Sequence, residues 1–163
     1  MAAAAGLLAL CSASWHGPLP SRLLSPRASP RLSAVRYGGI QHAGVLVKDK
    51  AVSLDFYTNV LGMGDDSDLR PALPYDGAFV RCGAHQIHLM VLPNPDPTDG
   101  RPDHGGRDRH VALTVESLAP LRASLESRGI PFTQSKSGRA ALFCRDPDGN
   151  ALEFMEASAV STR

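Results

Sequence analysis

A chain of 163 residues with 43% hydrophobic and 20% charged side chains has the composition of one ordinary globular domain, neither disordered nor fibrous. Lys plus Arg (17) against Asp plus Glu (16) leaves a net charge of +1, which speaks against a basic nucleic-acid binder. The apolar run Leu7 to Leu10 is far short of the roughly 20 residues that span a bilayer, so no membrane protein is expected.

The near-neutral total hides an asymmetry. No acidic residue precedes Asp49, whereas Arg22, Arg27, Arg31 and Arg36 all do. Removing those four from the 17 basic residues leaves 13 against 16 acidic ones, so the rest of the chain is acidic. The first 36 residues are also rich in Ala and Ser, with Pro18, Pro20, Pro26 and Pro30 among them. An acid-free, Arg- and Ser-containing leader has the composition of an organelle transit peptide. The Met-Ala-Ala-Ala start and the Ser/Pro content favour the plastid stroma over the mitochondrion. Residues 1–36 are therefore expected to be a disordered transit peptide, 37–158 a single domain, and 159–163 a tail. The body contains only Cys82 and Cys144, which is no disulfide framework and fits a reducing compartment.

In the body, short alternating segments are interrupted by two helical ones. His42 to Lys48 reads as a strand. Ala51 to Leu61 reads as a helix, with Val52, Phe56, Val60 and Leu61 at helical spacing and Gly62 as its stop. Gly77 to Arg81 and Gln86 to Leu92 read as strands. Pro93 to Arg109, dense in Pro, Gly and Asp, reads as a linker. The pattern then restarts: His110 to Val115 is a strand, Leu118 to Arg128 a helix stopped by Gly129, and Ala140 to Cys144 and Ala151 to Met155 are strands. Asp146-Pro-Asp-Gly-Asn forms the turn between the last two. The chain thus holds two repeats, about 38–92 and 107–157, each a strand, a helix and two or three further strands.

Polar residues mark the same repeat. His42 opens the first strand of one half and His88 lies in its last strand, 46 residues on. His110 and Glu153 occupy the corresponding places in the other half, 43 residues apart. His88-Leu-Met matches Glu153-Phe-Met. Residues two apart share a strand face, which leaves Val45, Val47, Ile87, Leu89, Val111, Leu113, Val115, Leu152 and Phe154 on the faces opposite these four. A helix would cover that apolar face. The four metal-competent side chains then share the other face, where a curved mixed sheet would form a pocket around one divalent ion. Imidazole and carboxylate suit Zn, Ni, Fe or Mn. The absence of thiolates argues against a closed structural zinc site. An open ion would bind two neighbouring oxygens of a small substrate, with Glu153 the candidate catalytic base. His85 beside its turn and His104 in the linker are expected to be solvated. Arg81, Arg139 and Arg145 are surface residues by default that could meet an anionic group.

With ligands on the first and last strand of each repeat, the chain resembles the vicinal oxygen chelate superfamily, which includes glyoxalase I, extradiol dioxygenases and the bleomycin resistance proteins. The segment Ser53-Leu-Asp-Phe-Tyr-Thr-Asn-Val-Leu-Gly-Met is similar to glyoxalase I. Asp146-Pro-Asp-Gly-Asn-Ala-Leu-Glu-Phe is similar to the superfamily's terminal signature. With Asn94-Pro-Asp-Pro and Gly105-Gly-Arg-Asp-Arg-His110, the chain most resembles the plastid glyoxalase-I-like proteins of plants. The resemblance covers Gly38 to Ala157. It implies an α+β fold of two βαβββ repeats, a divalent metal held by His42, His88, His110 and Glu153, lyase or isomerase chemistry through a stabilised enolate, and often a homodimer. It departs at His88, where glyoxalase I carries a carboxylate, and at Leu46, where an arginine meets glutathione. Both departures speak against classical lactoylglutathione lyase activity. Two other readings stand beside it: a small-molecule sequestration protein without turnover, and a small Fe(II) extradiol-type dioxygenase using His42, His110 and Glu153.

Overall fold

The computed structural model describes residues 36–159, so the leader assigned to residues 1–36 and the tail assigned to 159–163 lie outside the described residues, Arg36 and Ala159 excepted. The described residues from Gly38 onward form one compact unit. It is α+β, built as two βαβββ repeats.

The first repeat runs through β1 (His42–Val47), α1 (Lys50–Asp55), β2 (Gly64–Asp65), β3 (Gly77–Cys82) and β4 (His85–Val91). The second runs through β5 (His110–Val115), α2 (Ala119–Ser127), β6 (Phe132–Gln134), β7 (Ala141–Arg145) and β8 (Ala151–Glu156). Each repeat makes its own four-stranded mixed sheet, in the orders β1-β4-β3-β2 and β5-β8-β7-β6. The first strand of each is parallel to the last, and the other pairs are antiparallel.

Local chemistry sets the helix ends. The Asp49 side chain accepts from Val52 N at 3.0 Å and caps α1. After Asp55 the chain widens into a π-turn over Phe56–Val60, where Leu61 N reaches back to Phe56 O at 3.0 Å. The sequence expectation of one regular helix to Leu61 is corrected here: the wider turn swings Tyr57 inward, where it is fully buried. Gly129, at φ +65°, ends α2 in a conformation that side-chain-bearing residues rarely adopt.

Alternation places Val45, Val47, Ile87, Leu89, Leu152 and Phe154 in the core, with Leu121 and Leu125 of α2 and Phe56, Tyr57 and Val60 of the first repeat. Both sheets pack their apolar faces into this one cluster. The repeats also touch through polar atoms: Ser124 Oγ donates to Val60 O at 2.7 Å, and Arg128 to Asn59 O at 3.2 Å. Because the apolar faces share a core, the faces bearing His42, His88, His110 and Glu153 are the opposite ones. Cys144 is buried and burial pushes its thiol up to about 12; Cys82 is half-buried, and both are free.

Candidate metal centre

The register of the paired strands is equivalent in the two repeats. Gly44 lies opposite His88 across β1 and β4, and Ala112 lies opposite Glu153 across β5 and β8. On the other side of the last strands, Phe79 faces His88 and Phe143 faces Glu153. His42 and His110 are therefore equivalent, as are His88 and Glu153.

The four residues gather as two pairs. In the second repeat, His110 Nε2 lies 3.0 Å from Glu153 Oε2. His110 Nδ1 donates to the Asp108 carbonyl at 2.8 Å. With that hydrogen placed, Nε2 meets the Glu153 carboxylate either as the second N–H of an imidazolium or as a lone pair beside a bound cation. Glu153 is only 5% exposed, and its Oε1 has no hydrogen-bond partner among the described residues. Arg139 brings its guanidinium to 3.9 Å of that oxygen. A buried carboxylate with one oxygen free of hydrogen bonds, beside an imidazole, offers two donors of a kind that suits a divalent ion.

The first pair is arranged differently. His88 is sandwiched between Phe79, at 3.6 Å between ring centroids and 9° between planes, and His42, at 4.0 Å and 13°. Nearly parallel rings direct their in-plane lone pairs alongside one another and not at a common point. Burial, and then the neighbouring His42, lower the His88 pKa and favour its neutral form. His88 Nε2 lies 3.1 Å from Gln86 Oε1, and His42 Nδ1 contacts Gln41 Oε1. Among the described residues, no three His, Cys, Asp or Glu side chains come together closely enough to hold an ion. His42 and His110 nevertheless line one cavity of about 690 Å³, with His85, Gln86, Ala112 and Thr114.

The linker proves to be a strap across this site. Every polar group of Asp108 is engaged. Its N–H donates to Gly105 O at 3.0 Å, and its carboxylate accepts from Arg109 N at 2.9 Å, from Arg101 at 3.0 and 3.2 Å, and from Arg145 at 2.9 Å. Its carbonyl holds His110. The Arg101 contact, then that of Arg145, holds the Asp108 carboxyl down to about 2. Arg145 also donates to Pro102 O and Gly149 O, both at 2.7 Å, so it is a clamp and not a free surface cation. Gly105 and Gly106 lie against Phe143, where a Cβ on Gly106 would sit 3.1 Å from the ring. His104, expected to be solvated, is half-buried: it meets Phe143 edge-on at 4.7 Å, and its Nδ1 lies 2.8 Å from Thr133 Oγ1. Phe143 in turn meets His110 at 5.6 Å. His85 is exposed as expected. Arg81 is paired with Asp66 at 3.2 Å.

The terminal turn joins the repeats. Asp146 is 4% exposed and accepts from Tyr57 Oη at 3.1 Å, from Asn150 N and Nδ2 at 2.8 Å each, and from Asp148 N at 3.0 Å. Asn150 Nδ2 also donates to Leu46 O in β1 at 2.9 Å. Burial raises the Asp146 pKa against the opposing pull of those hydrogen bonds. Sequence reasoning saw here a turn and a family signature, not a junction between the repeats. It also missed Asp108, Phe79, Phe143 and Gln86, although the two phenylalanines are legible in retrospect as equivalent aromatics before the last strand of each repeat.

Paired βαβββ units bearing metal-competent residues on their first and last strands define a class of fold, and comparison with known proteins places the chain within it. The Glyoxalase/Bleomycin resistance protein/Dioxygenase superfamily model matches residues 39–154, and the chain belongs to that superfamily. It is 32% identical over 127 residues to Uncharacterized protein YaeR of Escherichia coli (strain K12), covering 72% of this chain and 95% of that one. It is 30% identical over 122 residues to a lactoylglutathione lyase of Salmonella typhimurium, covering 71% of this chain and 90% of that one. The crystal structure of lactoylglutathione lyase from Agrobacterium tumefaciens superimposes with a TM-score of 0.56 at 19% identity, over 78% of this chain and all (100%) of that chain, which is a likeness of fold.

Proposed function

We propose that this protein is a divalent-metal-dependent, glyoxalase I-like enzyme that performs lyase or isomerase chemistry on a small substrate with adjacent oxygens. The observation that carries the reading is the buried Glu153 Oε1, without a hydrogen-bond partner, on a carboxylate whose other oxygen faces His110 Nε2. His110 and Glu153 would hold the ion, with His42 and His88 completing the set. Bound there, the ion would supply a Lewis acid for negative charge developing on two neighbouring substrate oxygens. Glu153 would move the substrate proton through Oε1, which lies 3.9 Å from the Arg139 guanidinium. Phe143 and the Gly105–Gly106 strap segment would exclude water from one side of the pair.

The two ligand pairs sit in separate repeats, each turned away from the shared core. We take the four-residue set to be completed in a homodimer, the β1–β4 pair of one copy meeting the β5–β8 pair of another. The acid-free leader, residues 1–36, supports delivery to the plastid stroma.

The test is the metal content of the purified protein beside a His110→Ala/Glu153→Gln variant, followed by assay of the metal-loaded protein on 2-oxoaldehydes with and without glutathione. Stoichiometric Zn, Ni, Fe or Mn lost in the folded variant, with turnover that depends on the ion, supports the proposal. A wild-type protein that takes up none of these ions overturns it.

A further inference from the structure

His88 occupies a position where its place in the repeat matches a carboxylate, Glu153, in the other half. A carboxylate offers equivalent oxygens, but an imidazole must present one particular nitrogen, and something has to choose which. The sandwich between Phe79 and His42 fixes the plane of the His88 ring. It leaves open a half-turn of the ring within that plane and the placement of the single hydrogen of the neutral imidazole.

Proton inventory along one row of side chains settles both. Asp66 is 6% exposed and its Oδ1 is paired with Arg81 at 3.2 Å, so this carboxylate only accepts. Its Oδ2 lies 2.9 Å from Gln86 Nε2, the nitrogen that must therefore face it. With the amide nitrogen committed, Gln86 turns Oε1 toward His88, and an amide oxygen accepts only. The His88 nitrogen 3.1 Å away is Nε2, which must carry the hydrogen. Nδ1 is then the lone-pair atom of His88. Gln86 and His88 share a strand face, and Arg81 is the register partner of Gln86, so the row Arg81–Asp66–Gln86–His88 lies on the open side of the first sheet. The equivalent of Gln86 in the second repeat is Ala151, opposite Arg145 as Gln86 is opposite Arg81, and it has no side chain for this task. The device belongs to the repeat that carries a histidine in the ligand position.

We propose that Gln86, held by Asp66, is a positioning residue that selects the Nε2–H tautomer of His88 and so leaves Nδ1 as its lone-pair nitrogen. The consequence for metal affinity rests on the metal-site reading above; the tautomer itself does not. Outer partners of this kind, when removed, weaken metal binding by about 10- to 100-fold.

The experiment uses the full chain with ¹⁵N-labelled histidine, metal-free, at a pH where His88 is neutral, with His88 assigned through His88→Gln. Imidazole ¹⁵N shifts report which nitrogen is protonated. The wild type should show Nε2–H. Gln86→Leu should give a mixture of tautomers, and Asp66→Asn, whose amide can donate to Gln86 Oε1 and let that side chain reverse, should shift the population toward Nδ1–H. Cobalt(II) titration should show a Kd raised about 10- to 100-fold in Gln86→Leu. An Nδ1–H signal in the wild type overturns the proposal, as does an unchanged tautomer in both folded variants. If either variant fails to fold, the wild-type signal and the other variant still decide. A wild type that binds no cobalt(II) yet shows the Nε2–H signal and its loss in Gln86→Leu removes the metal centre and leaves the role of Gln86 standing.

Discussion

The Tyr57 hydroxyl donates to Asp146 Oδ2 at 3.1 Å, joining the helical segment of the first repeat to the turn before the last strand of the second. Burial and the adjacent carboxylate raise the phenol pKa well above its ordinary range, so Tyr57 remains a hydrogen-bond donor at neutral pH. Asn150 extends the junction to β1 through Leu46 O. The turn that precedes Glu153 is thus fastened to the strand that His42 opens.

Removing this junction should cost stability in a graded way. Tyr57→Phe deletes one donor and leaves Asp146 its other bonds, a loss of about 1 kcal/mol. Asn150→Ala strips partners from both Asp146 and Leu46 O, and should cost about 2–3 kcal/mol. Urea denaturation of the two variants measures both, and equal losses would mean that Asn150 does not bridge the repeats.

Gly77 sits where a Cβ would fall 2.1 Å from the Leu89 carbonyl, inside the β3–β4 ladder. The obstacle is main chain and not a flexible side chain, so Gly77→Ala must part the strands that position Phe79 and His88. A loss of about 3 kcal/mol or more is expected in a urea titration. The equivalent residue in the second repeat is already an alanine, Ala141, facing Met155 as Gly77 faces Met90. Substituting Ala141→Gly should therefore be mild by comparison.

The strap should loosen in acid. Arg101 and Arg145 hold the folded Asp108 carboxyl at about 2, below the roughly 3.9 of an unfolded aspartate. The folded state therefore binds this proton less readily than the unfolded one. The stabilisation is complete above about pH 4 and is lost as the pH falls toward 2. Hydrogen exchange of residues 97–109, corrected for intrinsic rates, should rise across that window in the wild type and be raised already at neutral pH in Asp108→Asn.

Complementation should reveal whether the ligand set is shared between copies. A variant lacking His42 and His88 and another lacking His110 and Glu153 should each bind no metal. Co-refolded in equal amounts, they should regain about one quarter of the wild-type sites, because half the dimers are mixed and each mixed dimer holds one intact set. Recovery of none would place all four ligands within one chain.

Strand alternation and the spacing of His42, His88, His110 and Glu153 were enough to define two equivalent repeats and to put these residues opposite the apolar faces. Both follow from local geometry: a strand turns successive side chains to opposite sides wherever it lies. The short edge strands β2 and β6, two and three residues long, carry no periodic run and exist only because β3 and β7 offer them a hydrogen-bonding edge. The π-turn at Phe56–Val60 was equally invisible, since apolar spacing does not distinguish it from a regular helix over one turn.

What the residues do to one another was decided by the tertiary structure. No spacing shows that His110 Nε2 faces the Glu153 carboxylate while His42 lies flat on His88, because that depends on ring rotation set by Asp108, Gln86 and Phe79. Nor does the linker's composition announce a strap, since its order comes from Arg145, 37 residues beyond Asp108 in the chain. Periodicity is a property of neighbours in sequence, and it determined the faces. Orientation, tautomer and charge pairing are properties of neighbours in space, and only the folded chain brings those together.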